Sequence, residues 1–269
     1  MARIELSHAH KKDTLPDELI HAARRGQVKR IVKWLKAGGC VDGRCTALTG
    51  NTLLHAAAVH EQAELMLLLL RQKASVNLQN HEGSTALMAA SEQARYSTEA
   101  VRILLEQGAE CNMQCDRLCT ALTSAARNGH RAVLLLLIEH RADPDHHTEK
   151  LGSPLMQAAG AGHVACVKAL LEARADTSVR SAGKTALDFA RSRGHTEIAA
   201  MLRMAAEDGA PAGGNVHRGA VARENVAGGG DDGRVRARQY CSRVILGRTR
   251  SSNSQLRLET LETRALCAL

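Results

Sequence analysis

The amino-acid sequence predicts an all-α repeat solenoid, a stack of about six helix–turn–helix units followed by a disordered tail, and three observations carry that expectation. A short motif built around a small residue and Leu returns at near-constant spacing. A second, more apolar segment follows each copy after a turn. Aromatic residues are scarce, with one Trp, one Phe and two Tyr in 269 residues, so Leu and Ala must fill the interior. Many small helical contacts suit that inventory, whereas a β-sandwich or barrel wants aromatic and β-branched side chains.

The first segment reads DELIHAA at 17–23, TLLHAAA at 52–58, TALMAAS at 85–91, TALTSAA at 120–126, SPLMQAA at 153–159 and TALDFAR at 185–191. Its starts lie 35, 33, 35, 33 and 32 residues apart, a period that means stacked supersecondary units. The second segment reads GQVKRIVKWLKAGG, EQAELMLLLLRQKAS, TEAVRILLEQGAE, GHRAVLLLLIEHRAD, GHVACVKALLEARAD and GHTEIAAMLRMA. Each holds two or three helical turns with one apolar stripe. The run Val133–Ile138 is six residues flanked by Arg131 and Glu139. A membrane-spanning helix needs about 20, so the run predicts a buried second helix and no membrane insertion.

Thr52, Thr85, Thr120, Ser153 and Thr185 stand where a hydroxyl caps the first helix. Leu54, Leu87, Leu122, Leu155 and Leu187 fill the core one turn in, and Ala57, Ala90, Ala125, Ala158 and Ala190 let two helices approach closely. Gly129 and Gly162 end first helices because glycine tolerates positive φ. The pairs Leu69–Leu70, Leu104–Leu105, Leu137–Ile138 and Leu170–Leu171 bury against the next unit.

Together these residues resemble the ankyrin repeat, whose signature T-P-L-H-x-A-A, G-H-x-x-V-V-x-x-L-L, G-A-D is nearly spelled by SPLMQAAGAGHVACVKALLEARAD at 153–176. The resemblance covers about residues 17–205. It implies an ankyrin-like, L-shaped stack of antiparallel helix pairs with β-hairpin-like fingers, in units at 17–51, 52–84, 85–119, 120–152, 153–184 and 185–206. The Gly of G-A-D is replaced by Lys73, Arg141 and Arg174, each costing roughly 1 kcal/mol if the left-handed backbone persists. The family's first-helix His survives as His21, approximately aligned, and His55; Met88, Thr123, Met156 and Asp188 stand elsewhere. Two extra residues around 91–99 lengthen the turn of the third unit.

Residues 1–12 are expected to be a flexible extension and 13–206 the repeat domain. Asp13 or Thr14 is expected to cap the first helix with Pro16 in its first turn, and Arg24, Arg25, Lys29, Arg30 and Lys33 give the terminal unit a polar exterior. From 207 to 269 the chain is rich in Gly and Arg without an apolar period, which predicts disorder. Within it, 255–269 offers a short helix for a partner or an unstructured end, and RTRSS at 248–252 a loose kinase pattern at Ser251. Cys267 is third from the end, not the fourth that prenylation requires.

A net charge of +8 raises nucleic acid as a partner. Scattered basic residues and few aromatics for base stacking argue against it. Eight cysteines with no apolar leader near the amino terminus point to a reducing compartment, the cytoplasm or the nucleus. Cys111, Cys115 and Cys119 are spaced evenly in a finger, and their expected state is a reduced surface loop without metal. Asp143, Asp145, His146, His147 and Glu149 gather on another finger, open to water and read as a contact loop. GKT at 183–185 lacks the phosphate loop's first glycine, since position 178 is Ser. His130, His163 and His195 follow the repeat and read as turn residues.

No catalytic constellation, cofactor or metal site is therefore expected. The family resemblance implies a monomeric, non-catalytic scaffold that binds another protein through a concave surface of finger tips and first helices. The candidate contacts are Gln79, Asn80, His81 and Glu82; Gln114, Asp116 and Arg117; His146, His147 and Glu149; Arg180; and His60, Glu92 and Arg127 on first helices. The alternative is an accessory subunit with a metal or nucleic-acid contact through the finger 111–119 or the Arg-rich tail.

Overall fold

A computed structural model of the chain describes residues 14–45, 49–94 and 98–208. Among these, β1 (Thr14–Leu15) and β2 (Arg44–Cys45) pair in parallel over two residues each, and twelve helices form the remaining regular structure. The helices come in six pairs: α1 (Asp17–Arg24) and α2 (Val28–Lys36), α3 (Leu53–Val59) and α4 (Ala63–Arg71), α5 (Ala86–Gln93) and α6 (Glu99–Glu106). Then follow α7 (Ala121–Asn128) and α8 (Arg131–Glu139), α9 (Pro154–Ala161) and α10 (Val164–Glu172), α11 (Ala186–Ser192) and α12 (Thr196–Asp208). The first helices α1, α3, α5, α7, α9 and α11 pack in one continuous row, and each second helix packs on its own first helix. In the second row α4 lies against α6, α8 against α10 and α10 against α12.

Helices of eight or nine residues are marginal alone, so their ends matter. Thr52, Thr85, Thr120, Ser153 and Thr185 take extended backbone at the N-cap, and their hydroxyls accept the N–H of His55, Met88, Thr123, Met156 and Asp188 at 3.2–3.4 Å. His55 and Asp188 answer by accepting from the N-cap N–H, closing two capping boxes.

The second helices end in one recurring turn. After α4 the Lys73 N–H reaches the Leu70 carbonyl and the Ala74 N–H reaches Leu69; the same pair of bonds follows α2, α6, α8 and α10. This turn requires a left-handed residue. Gly38 and Gly108 supply it at φ 88° and 81°, whereas Lys73, Arg141 and Arg174 are held at 63°, 65° and 61°. The left-handed backbone persists without glycine, as feared from the sequence. Arg141→Gly and Arg174→Gly should each stabilise the fold by up to about 1 kcal/mol. Thermal unfolding checks this, and a lowered Tm would show that the long side chains hold the turn.

Leu54, Leu87, Leu122 and Leu155 are buried along the first row, with Ala57, Ala90, Ala125, Ala158 and Ala190 beside them where helices touch. Leu187 is only half-buried, because the terminal unit has a neighbour on one side. Of the second-helix pairs, Leu69, Leu104, Leu105, Leu137 and Leu170 are buried, but Leu70, Ile138 and Leu171 are half-buried. Successive helical residues point about 100° apart, so both members of a pair rarely share the buried stripe.

The amino-terminal expectations need correction. Thr14 lies in β1, and Pro16 is itself the N-cap of α1, with no side-chain cap. Asp13 lies outside the described residues. The turn bonds of α1 and α3 repeat at an offset of 35 residues, which aligns Ile20, not His21, with His55. Ile20 is buried and His21 exposed. Five residues, 94–98, separate α5 from α6, against two, 129–130, between α7 and α8, so the third unit has three more residues there and not the expected two; 95–97 lie outside the described residues. The expectations for 1–12, for 209–269 and for Ser251 and Cys267 within it fall outside the described residues.

Candidate partner-binding surface

A finger leads from each second helix to the next first helix, and its base is tied to its neighbour by one repeated bond. The Asp42 carboxylate accepts the Ser75 N–H at 2.9 Å and the Ser75 hydroxyl at 2.6 Å. Asn77 accepts the Glu110 N–H, Asn112 the Asp143 N–H and Asp145 the Asp176 N–H, at 2.7–2.9 Å. A second set of rungs joins the turns between paired helices. His130, His163 and His195 each donate from Nε2 to a carbonyl of the preceding unit, at Glu92, Arg127 and Gly160, within 3.0–3.2 Å. The Gln62 amide does the same to Arg24 at 3.3 Å. A carbonyl only accepts, which places the imidazole proton on Nε2.

These rungs satisfy the loop backbone from within. What remains for solvent is a row of side chains. His81, Glu82, Gln114, Asp116, Arg117, His147, Glu149 and Arg180 are exposed on the tips, as are Glu92 on α5 and His60, which lies not on α3 as expected but at its C-cap. Arg127 is half-buried and pairs with Glu92 at 3.1 Å, bridging α7 and α5. Gln79 and Asn80 are differently placed. The Gln79 amide donates to the Gly83 and Gln114 carbonyls, while Asn80 accepts from Glu82 and Ser84 and donates to Asn51 at 2.7 Å. Both side chains hold the fingers together. His146 is half-buried with its Nε2 covered by protein. Sequence reasoning passed over Phe189 and Arg193, which meet at Gly160 on the first-helix row: a Cβ there would stand 3.8 Å from each. The signal available was that Phe189 is the single Phe of the chain.

The finger 111–119 departs from expectation. Cys115 and Cys119 form a disulfide, with Cα atoms 5.5 Å apart. The expected reduced surface loop is thereby corrected: a tight turn brings the two sulfurs together, and Cys111 and Cys115 are buried. A metal held by three thiolates loses two of its ligands to this bond. Burial pushes the Cys111 thiol up, and the Cys166 thiol up to about 11.

Asp143 and Asp145 serve the finger itself, Asp143 accepting the Asp145 N–H and Asp145 the Asp176 N–H. Burial pushes the Asp145 carboxyl above the usual range, partly offset by that N–H. At 181–184 the GKT stretch forms a tight turn in which Ser181 and Lys184 exchange both backbone bonds. The hydroxyl of Ser181 donates to the Thr148 and Glu149 carbonyls of the finger before it. Among the described residues no three His, Cys, Asp or Glu side chains converge as a metal site, and no helix is long and apolar enough to cross a membrane.

Six helix pairs in register, joined by stacked fingers, define a tandem helical-repeat array. The family model for ankyrin repeats, three copies to each match, aligns with residues 19–115, 59–148 and 122–210, and the chain belongs to the ankyrin-repeat family. Ankyrin repeats are protein–protein interaction modules. Over 125 residues the chain is 34% identical to E3 ubiquitin-protein ligase XBAT33 of Arabidopsis thaliana, covering 45% of this chain and 24% of that protein. Over 113 residues it is 35% identical to ankyrin repeat, SAM and basic leucine zipper domain-containing protein 1 of Pongo abelii, covering 40% and 23%. The chain thus matches about a quarter of the length of these relatives.

Proposed function

We propose that this chain is a non-catalytic scaffold that binds another protein through its finger tips and first helices. One observation carries the reading: fixed bonds at the finger bases hold the stack, while the exposed side chains of Glu82, Asp116, Arg117 and Glu149 at the tips make none of them, and Arg180 and His147 bond only within their own fingers. Glu82, Asp116, Arg117, Glu149 and Arg180 project both signs of charge, which favours a polar partner of matched pattern over a uniformly charged polymer. Glu92 and Arg127 extend the surface onto the first helices, and His60 onto the C-cap of α3. We take the array to act as a monomer, and in the cytoplasm or nucleus.

Reversing charge at two tips, Arg117→Glu with Glu149→Arg, should weaken capture of the partner about tenfold or more while leaving Tm unchanged. Affinity purification of full-length wild type and variant, with partners quantified by mass spectrometry, checks this. Equal recovery of every specific partner would remove this surface.

A further inference from the structure

The third finger repeats the hydrogen bonds of the second with different chemistry. In the second finger Asn80 donates its N–H to the Ser84 carbonyl at 2.9 Å, and Gly83 donates to the Asn80 carbonyl at 3.1 Å. The Ser84 N–H then reaches the Asn80 side-chain oxygen at 2.9 Å. In the third finger Cys115 donates to the Cys119 carbonyl at 3.0 Å, Leu118 to the Cys115 carbonyl at 2.7 Å, and the Cys119 N–H reaches the Cys115 sulfur at 3.4 Å. Cys115 stands for Asn80, Leu118 for Gly83 and Cys119 for Ser84. Both helpers of the turn have been lost. Sulfur is a weak acceptor in place of an amide oxygen, and Leu118 sits at φ 62° where Gly83 sits at 69°. What the third finger has instead is the covalent link between Cys115 and Cys119.

We propose that Cys115 and Cys119 form a reversible thiol–disulfide exchange site for small thiols of the glutathione class, and that its state sets whether the tip 115–119 is ordered. Access is asymmetric: Cys115 is buried, while Cys119 is half-buried beside three exposed residues, Asp116, Arg117 and Leu118. A glutathione thiolate attacks the Cys119 sulfur, forming a mixed disulfide and releasing the Cys115 thiolate. A second glutathione thiolate attacks the glutathione sulfur of that mixed disulfide and releases Cys119. One protein disulfide and two glutathione thiols become two protein thiols and one glutathione disulfide, with the two thiol protons passing to the cysteines. Cys111 and Cys166 stay outside this chemistry, since burial keeps their thiols protonated.

On reduction the two backbone bonds of the turn are backed only by a weak sulfur acceptor and strained by a left-handed Leu, so the tip loosens together with the Asp116 N–H bond to the Glu82 carbonyl. The proposal does not depend on the scaffold reading, because its test uses no partner. The full chain is equilibrated in buffers of varied glutathione to glutathione-disulfide ratio, quenched with acid and alkylated. Trypsin cuts after Arg117, so the oxidised tip yields two peptides joined by the disulfide.

The joined peptides should appear in a single transition with glutathione ratio, survive in Cys111→Ser and vanish in Cys115→Ser and in Cys119→Ser. Hydrogen exchange at amides 115–119 should be about tenfold faster in the reduced protein, with the other repeats unchanged. The double variant Cys115→Asn with Cys119→Ser restores the chemistry of the second finger, and its tip should be protected at every ratio. Full alkylation of both cysteines in all buffers would overturn the proposal. So would a bond that no glutathione ratio opens, or exchange at 115–119 that is the same in both states.

Discussion

Replacing Leu104 by Ala should cost about 3–4 kcal/mol of stability, the largest single effect expected in the array. Leu104 is fully buried on α6, which packs against α5 of its own unit and α3 and α4 of the preceding one. Its carbonyl also receives the Ala109 N–H in the turn that ends the helix. Truncation removes apolar contact and leaves a cavity that short helices, pinned by caps and rungs, close poorly. Denaturant unfolding gives the number. Leu171→Ala, at a half-buried position on α10, should lose under about 1.5 kcal/mol and serves as the comparison. In a repeat array stability is close to a sum of unit and interface terms, so the damage should also split the unfolding transition around the third unit. Equal losses at both leucines would contradict this view of the core.

The second large effect is at His55, which is 1% exposed. Its Nδ1 lies 2.8 Å from the Thr52 hydroxyl and faces the Thr52 N–H, while its Nε2 donates to the Ser84 carbonyl at 2.9 Å. The neutral ring satisfies every one of these groups. A proton on Nδ1 would set donor against donor. Burial holds the imidazole below its ordinary 6.5; the Ser84 carbonyl opposes this and the nearby Arg44 charge adds to it. Above pH 6.5 both folded and unfolded chains carry a neutral His55. Below it the unfolded chain takes up a proton that the folded chain refuses, so this contribution to stability falls with pH, by up to about 1.4 kcal/mol per unit. His55→Met should cost about 2–3 kcal/mol at pH 7.5 through the lost cap and the orphaned Ser84 carbonyl. The gap between wild type and variant should narrow at about pH 5.5. A gap independent of pH would mean the ring protonates freely in the fold.

The repeat and most of its packing were legible because the responsible residues act locally. A hydroxyl before a small residue and Leu caps its own helix, and a Leu one turn in meets the same neighbour in every unit. Other features were not legible because they join residues about 30 positions apart. Gln79 and Asn80 read as exposed amides offered to a partner, yet their acceptors are Gln114 and Asn51 in adjoining fingers. The disulfide was hidden because even spacing of Cys111, Cys115 and Cys119 gives no hint of which pair meets. That is decided by the left-handed turn at Leu118, a position where sequence alone suggests no such backbone. His21 was matched to His55 by residue type, whereas the turn bonds assign that place to Ile20.

Because the repeated bond at the finger bases arises from Asp42, Asn77, Asn112 and Asp145, the exposed side chains of Glu82, Asp116, Arg117 and Glu149 are relieved of architectural duty. New letters can be written there without redrafting the page. Single substitutions there can be tried over evolutionary time against an unaltered frame.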